Sequence, residues 1–192
     1  MKNTIRTFIA VEIDAAVRNR AEELTAALRA ARADVKWVEA NNLHLTLKFL
    51  GDVPAEQIPE VSAAVAGAVA GRQPLELEIR GAGAFPNANR PRTVWLGGGS
   101  GQQELAAVQE RIDAALEELG FRREDRAFQV HLTIGRVRSG GPAIGELAKL
   151  LRQHADFQAG RSAVGEVVVF SSQLTPKGPI YQALSRAKLG GF

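Results

Sequence analysis

Two short stretches of the chain carry the residue types that acid–base chemistry needs: "NLHLTLKFLG" over 42–51 and "VHLTIGRV" over 130–137. Each holds the unit His-x-Thr-x with an aliphatic residue at every x. In a strand, residues i and i+2 share a side, about 7 Å apart. His44 therefore faces the same way as Thr46, and His131 the same way as Thr133. An imidazole titrates near neutral pH, so a matched pair can act as general base and general acid in one turnover. Threonine hydroxyls donate to phosphate oxygens. Two imidazoles and two hydroxyls around one pocket suit in-line displacement at phosphorus, with one ring taking a proton from water and the other protonating the departing alcohol oxygen.

A single His-x-Thr is an ordinary polar strand face; two copies in one frame are what favour chemistry. A metal site is the rival use of histidine. It needs three or four ligands, and neither stretch has an Asp, Glu or Cys on the histidine's face, so neither a metal nor a cofactor is expected. His154, in "LRQHADF", has no partner motif and reads as a helix-terminal residue.

The elements that must position these residues follow from periodicity. "RTFIAVEI" (6–13) reads as a strand, and Val17, Ala21, Leu24, Leu28 and Ala31 mark one face of a helix behind Asp14. After the strand "LHLTLKFL", Asp52 and Pro54 suggest a helix start, with Ile58, Val61, Val65 and Val69 on its buried face. "LELEIR" (75–80) alternates as a strand does. "RTVWLGG" (92–98), a helical stripe from Leu105 to Leu119 closed by Gly120, "QVHLTIGRV", and a helix after Pro142 repeat that order. "EVVVFSSQL" and "IYQALSRAKL" are final strands joined by a turn at "TPKGP". Arg6-Thr7 recurs as Arg92-Thr93, an offset of 86 (92 − 6), and His44 recurs as His131, an offset of 87 (131 − 44). The chain thus reads as one domain over 1–192, built from two diverged halves of about 1–85 and 86–192. A pseudo-twofold axis would bring the two motif strands together.

With 192 residues and ordinary apolar content, the chain can bury a sizeable core. It has no cysteine, which excludes disulfides, thiolate chemistry and Cys-ligated metals. The formal charge of +3 is compatible with an RNA partner without selecting one. The apolar run Phe8–Ile13 is short and broken by Glu12, too short for a signal core or a membrane span. A cytoplasmic protein with no membrane partner is expected.

At these residues the sequence resembles the 2H phosphoesterases, named for their two H-x-T-x motifs. It is most similar to the bacterial and archaeal RNA 2′,3′-cyclic phosphodiesterases, once described as 2′-5′ RNA ligases. The resemblance spans nearly the whole chain: "TFIAVEI", "NLHLTLKFLGDV", "GAFPNANRPRTVWLG", "HLTIGRV" and "GPIYQAL". It implies a bilobed α+β fold, with two antiparallel sheets lining a central cleft and helices outside. It also implies action, without metal, on RNA or an oligonucleotide ending in a 2′,3′-cyclic phosphate, leaving a 2′-phosphate; a monomer is expected. By that analogy His44 protonates the departing 3′ oxygen and His131 activates water, although spacing alone allows either direction. Two other readings stay open: a non-catalytic RNA- or nucleotide-binding module, and an enzyme that ligates RNA ends 2′-5′ or opens another cyclic phosphate. One departure is Val130, where many relatives have proline.

The resemblance also makes Arg136 a phosphate ligand. Strict alternation objects, since Arg136 is five residues from His131; a bulge at Gly135 would resolve this. Lys48, four residues from His44, faces the pocket by alternation, or is a solvated strand-end charge. In the turn-rich segment 81–92, Phe85 can stack on a base and Arg92 can meet a phosphate, whereas Arg90 reads as a loop residue. Phe49 and Tyr181 are candidate cleft aromatics, with core packing as the alternative for both.

Overall fold

The computed structural model describes residues 3–176 and 178–190. Among these, the elements run β1 (Thr4–Glu12), α1 (Ala15–Leu28), β2 (Val35–Trp37), β3 (His44–Pro54), α2 (Ile58–Val69), β4 (Leu75–Phe85), β5 (Thr93–Gly98), α3 (Gln102–Glu117), β6 (His131–Val137), α4 (Ala143–Gln153), β7 (Gln158–Val164), β8 (Glu166–Thr175) and β9 (Gly178–Lys188). The turn expected at "TPKGP" includes Lys177, which lies outside the described residues. The strands form two antiparallel sheets, ordered β3-β1-β8-β9 and β2-β6-β5-β4-β7. The motif strands β3 and β6 lie against one another where the sheets meet. Helices α1 and α4 pack together on the second sheet, and α2, paired with α3, lies on β8 and β9 of the first. This is the α+β, two-sheet arrangement expected.

Most elements form where the apolar spacing put them. Val17, Ala21, Leu24 and Leu28 are all buried along α1, and Leu105, Val108, Ile112 and Leu116 along α3. The α3 end also follows the sequence: Gly120 takes a φ of +88°, and the Phe121 amide returns to the Leu116 carbonyl. The start of α2 differs. β3 runs on through Asp52 to Pro54, because Val53 is buried against β1 and an edge strand tolerates proline. A 3₁₀ turn over Ala55–Gln57 then precedes the helix.

The duplication is visible residue by residue in the sheet register. Glu12, Val11, Ala10, Ile9 and Phe8 face His44, Leu45, Thr46, Lys48 and Phe49. In the same order, Gly97, Leu96, Trp95, Val94 and Thr93 face His131, Leu132, Thr133, Gly135 and Arg136. The shared offsets are 85 in one strand (97 − 12) and 87 in the other (131 − 44). The sheets, however, draw on both sequence halves. β2 and β4 cross into the second sheet, and β8 and β9 return to complete the first.

One glycine lets the edge strand β2 join the second sheet. A Cβ on Gly135 would lie 2.7 Å from Val35 and 2.8 Å from the Trp37 ring. β2 can therefore pair with β6 only because position 135 has no side chain. Gly135→Ala should destabilise the fold by about 1–3 kcal/mol through overpacking. Gly140→Ala, where a Cβ meets nothing within 4 Å, should leave stability within about 0.5 kcal/mol. Urea denaturation of the two variants checks this, and equal midpoints would contradict it.

Candidate active site

Both motif strands carry the same irregularity. Partners step from Thr46 to Lys48 across β1, so Leu47 is an extra residue; they step from Thr133 to Gly135 across β5, so Ile134 is one too. Such a bulge breaks the two-residue alternation. After it, the side that carries the histidine and threonine continues at Phe49 in one strand and at Arg136 in the other. The expected bulge next to Gly135 is present, and Arg136 lines the cleft. Its twin moves Lys48 to the opposite side. Lys48 is buried, its ammonium paired with Asp113 of α3 and donating to the Arg122 carbonyl at 2.7 Å. It is neither a pocket residue nor a solvated charge.

Each imidazole is held in the same way. His44 Nδ1 donates to the Asn42 carbonyl at 2.7 Å, and His131 Nδ1 to the Gln129 carbonyl at 2.7 Å. A carbonyl can only accept, so Nδ1 carries the proton and Nε2 of each ring is left free of that bond. Asn42 is itself fixed by a 3₁₀ turn over Ala40–Asn42 and by its amide, which donates to the Pro179 carbonyl at 3.2 Å. Aromatic rings set the planes. Phe8 lies 4.8 Å from His44, and Tyr181 meets it edge-on at 5.2 Å; Phe85 meets His131 edge-on at 5.0 Å and touches Trp95 at 5.2 Å.

A cavity of about 210 Å³ lies at the junction, lined by His44, Thr46, Phe49, Thr133, Arg136 and Tyr181 among others. His131 is not in its wall; it stands one side-chain step from Thr133 on the same face of β6. Burial pushes the His44 imidazole below its ordinary value of 6.5; its bond to the Asn42 carbonyl opposes this, and the nearby Arg136 charge adds to it. Burial raises the Tyr181 phenol, with Arg136 opposing. One cation thus bears on both groups across the cleft. Among the described residues, no three His, Asp or Glu side chains converge as a metal site would require.

The remaining expected contacts fall elsewhere. Phe85 supports His131 rather than walling the cavity. Arg92 is exposed and lines a separate hollow with Arg90 and Arg138. The Arg-Thr dipeptides align at an offset of 86, whereas the strands align at 85. The structural counterpart of Phe8 is thus Thr93, and Arg92 falls just outside β5. Arg6, Phe8, Asn42 and Ser172 line the cavity and were not singled out from sequence. The Arg6-Thr7 repeat marked the first of them only as a register mark.

The family described as LigT like Phosphoesterase matches this chain over residues 11–95 and 98–181. The chain belongs to that phosphoesterase family. An RNA 2′,3′-cyclic phosphodiesterase of Methanothermobacter thermautotrophicus is 39% identical over 177 residues, 92% of this chain and 95% of the relative. One from Archaeoglobus fulgidus is 37% identical over 180 residues, 94% and 98% of the two chains. Among solved structures, the protein TT0787 of Thermus thermophilus superposes with a TM-score of 0.80 at 29% identity, covering 97% of this phosphoesterase and 99% of that chain. E. coli LigT complexed with 3′-AMP gives 0.75 at 25% identity, with 97% and 99% covered.

Two outcomes follow for this phosphoesterase. Lys48→Met leaves Asp113 buried without its main partner and should cost about 3–5 kcal/mol, much of it recovered in Lys48→Met/Asp113→Leu. Calorimetric or urea unfolding of the single and double variants measures it. Because His44 binds its proton less readily folded than unfolded, its contribution to stability is present above about pH 6.5 and lost as pH falls through the lowered folded value. Unfolding curves of His44→Gln should lack that part of the acid-side decline; identical pH dependence in the two proteins would contradict the cause given.

Proposed function

We propose that this phosphoesterase hydrolyses terminal 2′,3′-cyclic phosphates of RNA to 2′-phosphomonoesters, using two histidines and no metal. The observation that carries the reading is the duplicated register: each motif strand holds a His-x-Thr pair with its imidazole Nδ1 anchored to a carbonyl, and His44, Thr46, Thr133 and Arg136 line one cleft, with His131 two residues from Thr133 on the same strand face. The names of the relatives point to the same substrate class.

In the reaction, a water oxygen forms a bond to phosphorus while one neutral imidazole takes its proton at Nε2. The bond from phosphorus to the 3′ oxygen breaks, and the other ring, protonated, gives its Nε2 proton to that oxygen. Thr46 and Thr133 donate to the non-bridging oxygens. The Arg136 guanidinium offsets the charge that grows on them, which is the electrostatic part of the rate enhancement. By analogy with the family, His44 is the acid and His131 the base. Burial and Arg136 favour a neutral His44 in the free cleft, so the substrate's own negative charge must favour the imidazolium on binding.

A short RNA ending in a 2′,3′-cyclic phosphate should be opened in excess EDTA to a 2′-phosphate. His44→Ala and His131→Ala should each lose on the order of 10²–10⁴-fold in turnover. Near-parental rates in either variant, or a 3′-phosphate product, would sink the mechanism. The pH dependence of kcat/KM should be bell-shaped, with one limb below about 6.5. That limb should move upward in Arg136→Gln, since the guanidinium is one of the groups that depress His44. A profile unmoved by this substitution would remove Arg136 from the site's electrostatics.

A further inference from the structure

The histidine cavity does not close behind Phe49 and Tyr181. A larger groove of about 550 Å³ opens from it, sharing Arg6, Asn42, Phe49, Arg136 and Tyr181 as its inner wall. Its outer part is walled by Lys36, Trp37, Leu174 and Pro179, with Glu39 the one carboxylate among the described residues that line it. Phe49 and Leu174 are 61% and 67% exposed, large apolar side chains that serve no core. Trp37 of β2 borders the groove, with its ring packed over Gly135 against the core. Lys36 sits opposite Arg136 in the same pairing.

Apolar faces interleaved with cations, in a trough that leaves a phosphate-chemistry pocket, are the features that bind single-stranded nucleic acid: bases stack on the rings while cations meet the backbone. The cavity around His44 and Thr133 is small and suits the cyclic phosphate and its ribose. The groove has the volume of a further ligand unit.

Resting on the phosphodiesterase reading, we propose that this groove is a subsite for the nucleotide on the 5′ side of the terminal one. Its base lies against Phe49 and Leu174, and Lys36 and Arg6 supply the positive charge for the phosphate that joins the two nucleotides. The substrate class is then the unpaired 3′ end of an RNA chain, because a base held in a duplex cannot enter the groove. Cyclic mononucleotides fill only the inner cavity.

The test compares kcat/KM for an adenosine 2′,3′-cyclic phosphate mononucleotide with that for a diadenosine dinucleotide ending in the same group. The proteins are the parent, Lys36→Glu and Leu174→Asp. Stacking of one base predicts a parental preference for the dinucleotide of roughly tenfold or more. Each variant should bring that ratio to within about threefold of one. Equal kcat/KM for the two substrates in the parent, or a ratio that both variants leave intact, overturns the subsite while the phosphodiesterase reading stands. Turnover of neither substrate overturns that reading instead. In that case tryptophan fluorescence decides the groove: a dinucleotide 2′-phosphate should quench the parent and not Trp37→Phe, and no quenching of the parent overturns the subsite.

Discussion

One amide sets the relation between the two motifs. The Val38 N–H donates to the Ile134 carbonyl at 2.9 Å. Ile134 is the extra residue of the second motif's bulge, and Val38 is six residues before the first motif's histidine. From there the chain passes through the 3₁₀ turn over Ala40–Asn42, whose last carbonyl holds His44. The place where β6 departs from regular alternation is therefore tied directly to the segment that aims the opposite imidazole. β2, only three residues long, is the strand that makes this tie, and Gly135 is the position that lets it approach.

Around that junction the two halves are equal in frame and unequal in content. The same register and the same bulge deliver a histidine, a threonine and a third cleft residue from each motif strand. The third residue is Phe49 on one side and Arg136 on the other. The repeated frame accounts for the matched imidazoles, and the difference at this pair gives one cation and one exposed ring. The supporting rings diverged as well. Phe170 and Phe85 occupy corresponding positions on β8 and β4, opposite Phe8 and Thr93, yet Phe85 lies closer to His131 than Phe170 does to His44, 5.0 Å against 6.4 Å. The imidazoles thus sit in different surroundings, with His44 packed among Phe8, Phe170 and Tyr181.

The histidine–threonine strands were legible in sequence because a half-buried strand writes its period into its residues. The four long helices were legible for the same reason at period 3.6. What was not legible depends on partners. A bulge is defined by the strand across from it, so alternation put Lys48 on the cleft side and left Phe49 open between cleft and core, whereas the extra residue Leu47 turns Lys48 inward and Phe49 to the cleft. Arg92 was drawn into the site by a dipeptide match one residue out of the structural frame. β2 is too short to show a period, and β7, "QAGRSAV", buries Ala159, Ser162 and Val164 with little apolar signal. Both are strands because a neighbouring strand offers them hydrogen bonds.

The proposed mechanism needs both imidazoles to grip a single phosphate, and the chain's three histidines make that directly measurable. His154, whose Nδ1 bonds the Leu150 carbonyl in α4, serves as an internal reference. Nitrogen-15 NMR of histidine-labelled protein, titrated with a nucleoside 2′-phosphate, should move the Nε2 signals of His44 and His131 together, with one dissociation constant, and leave His154 still. Movement of only one of the two, or two different dissociation constants, would contradict it.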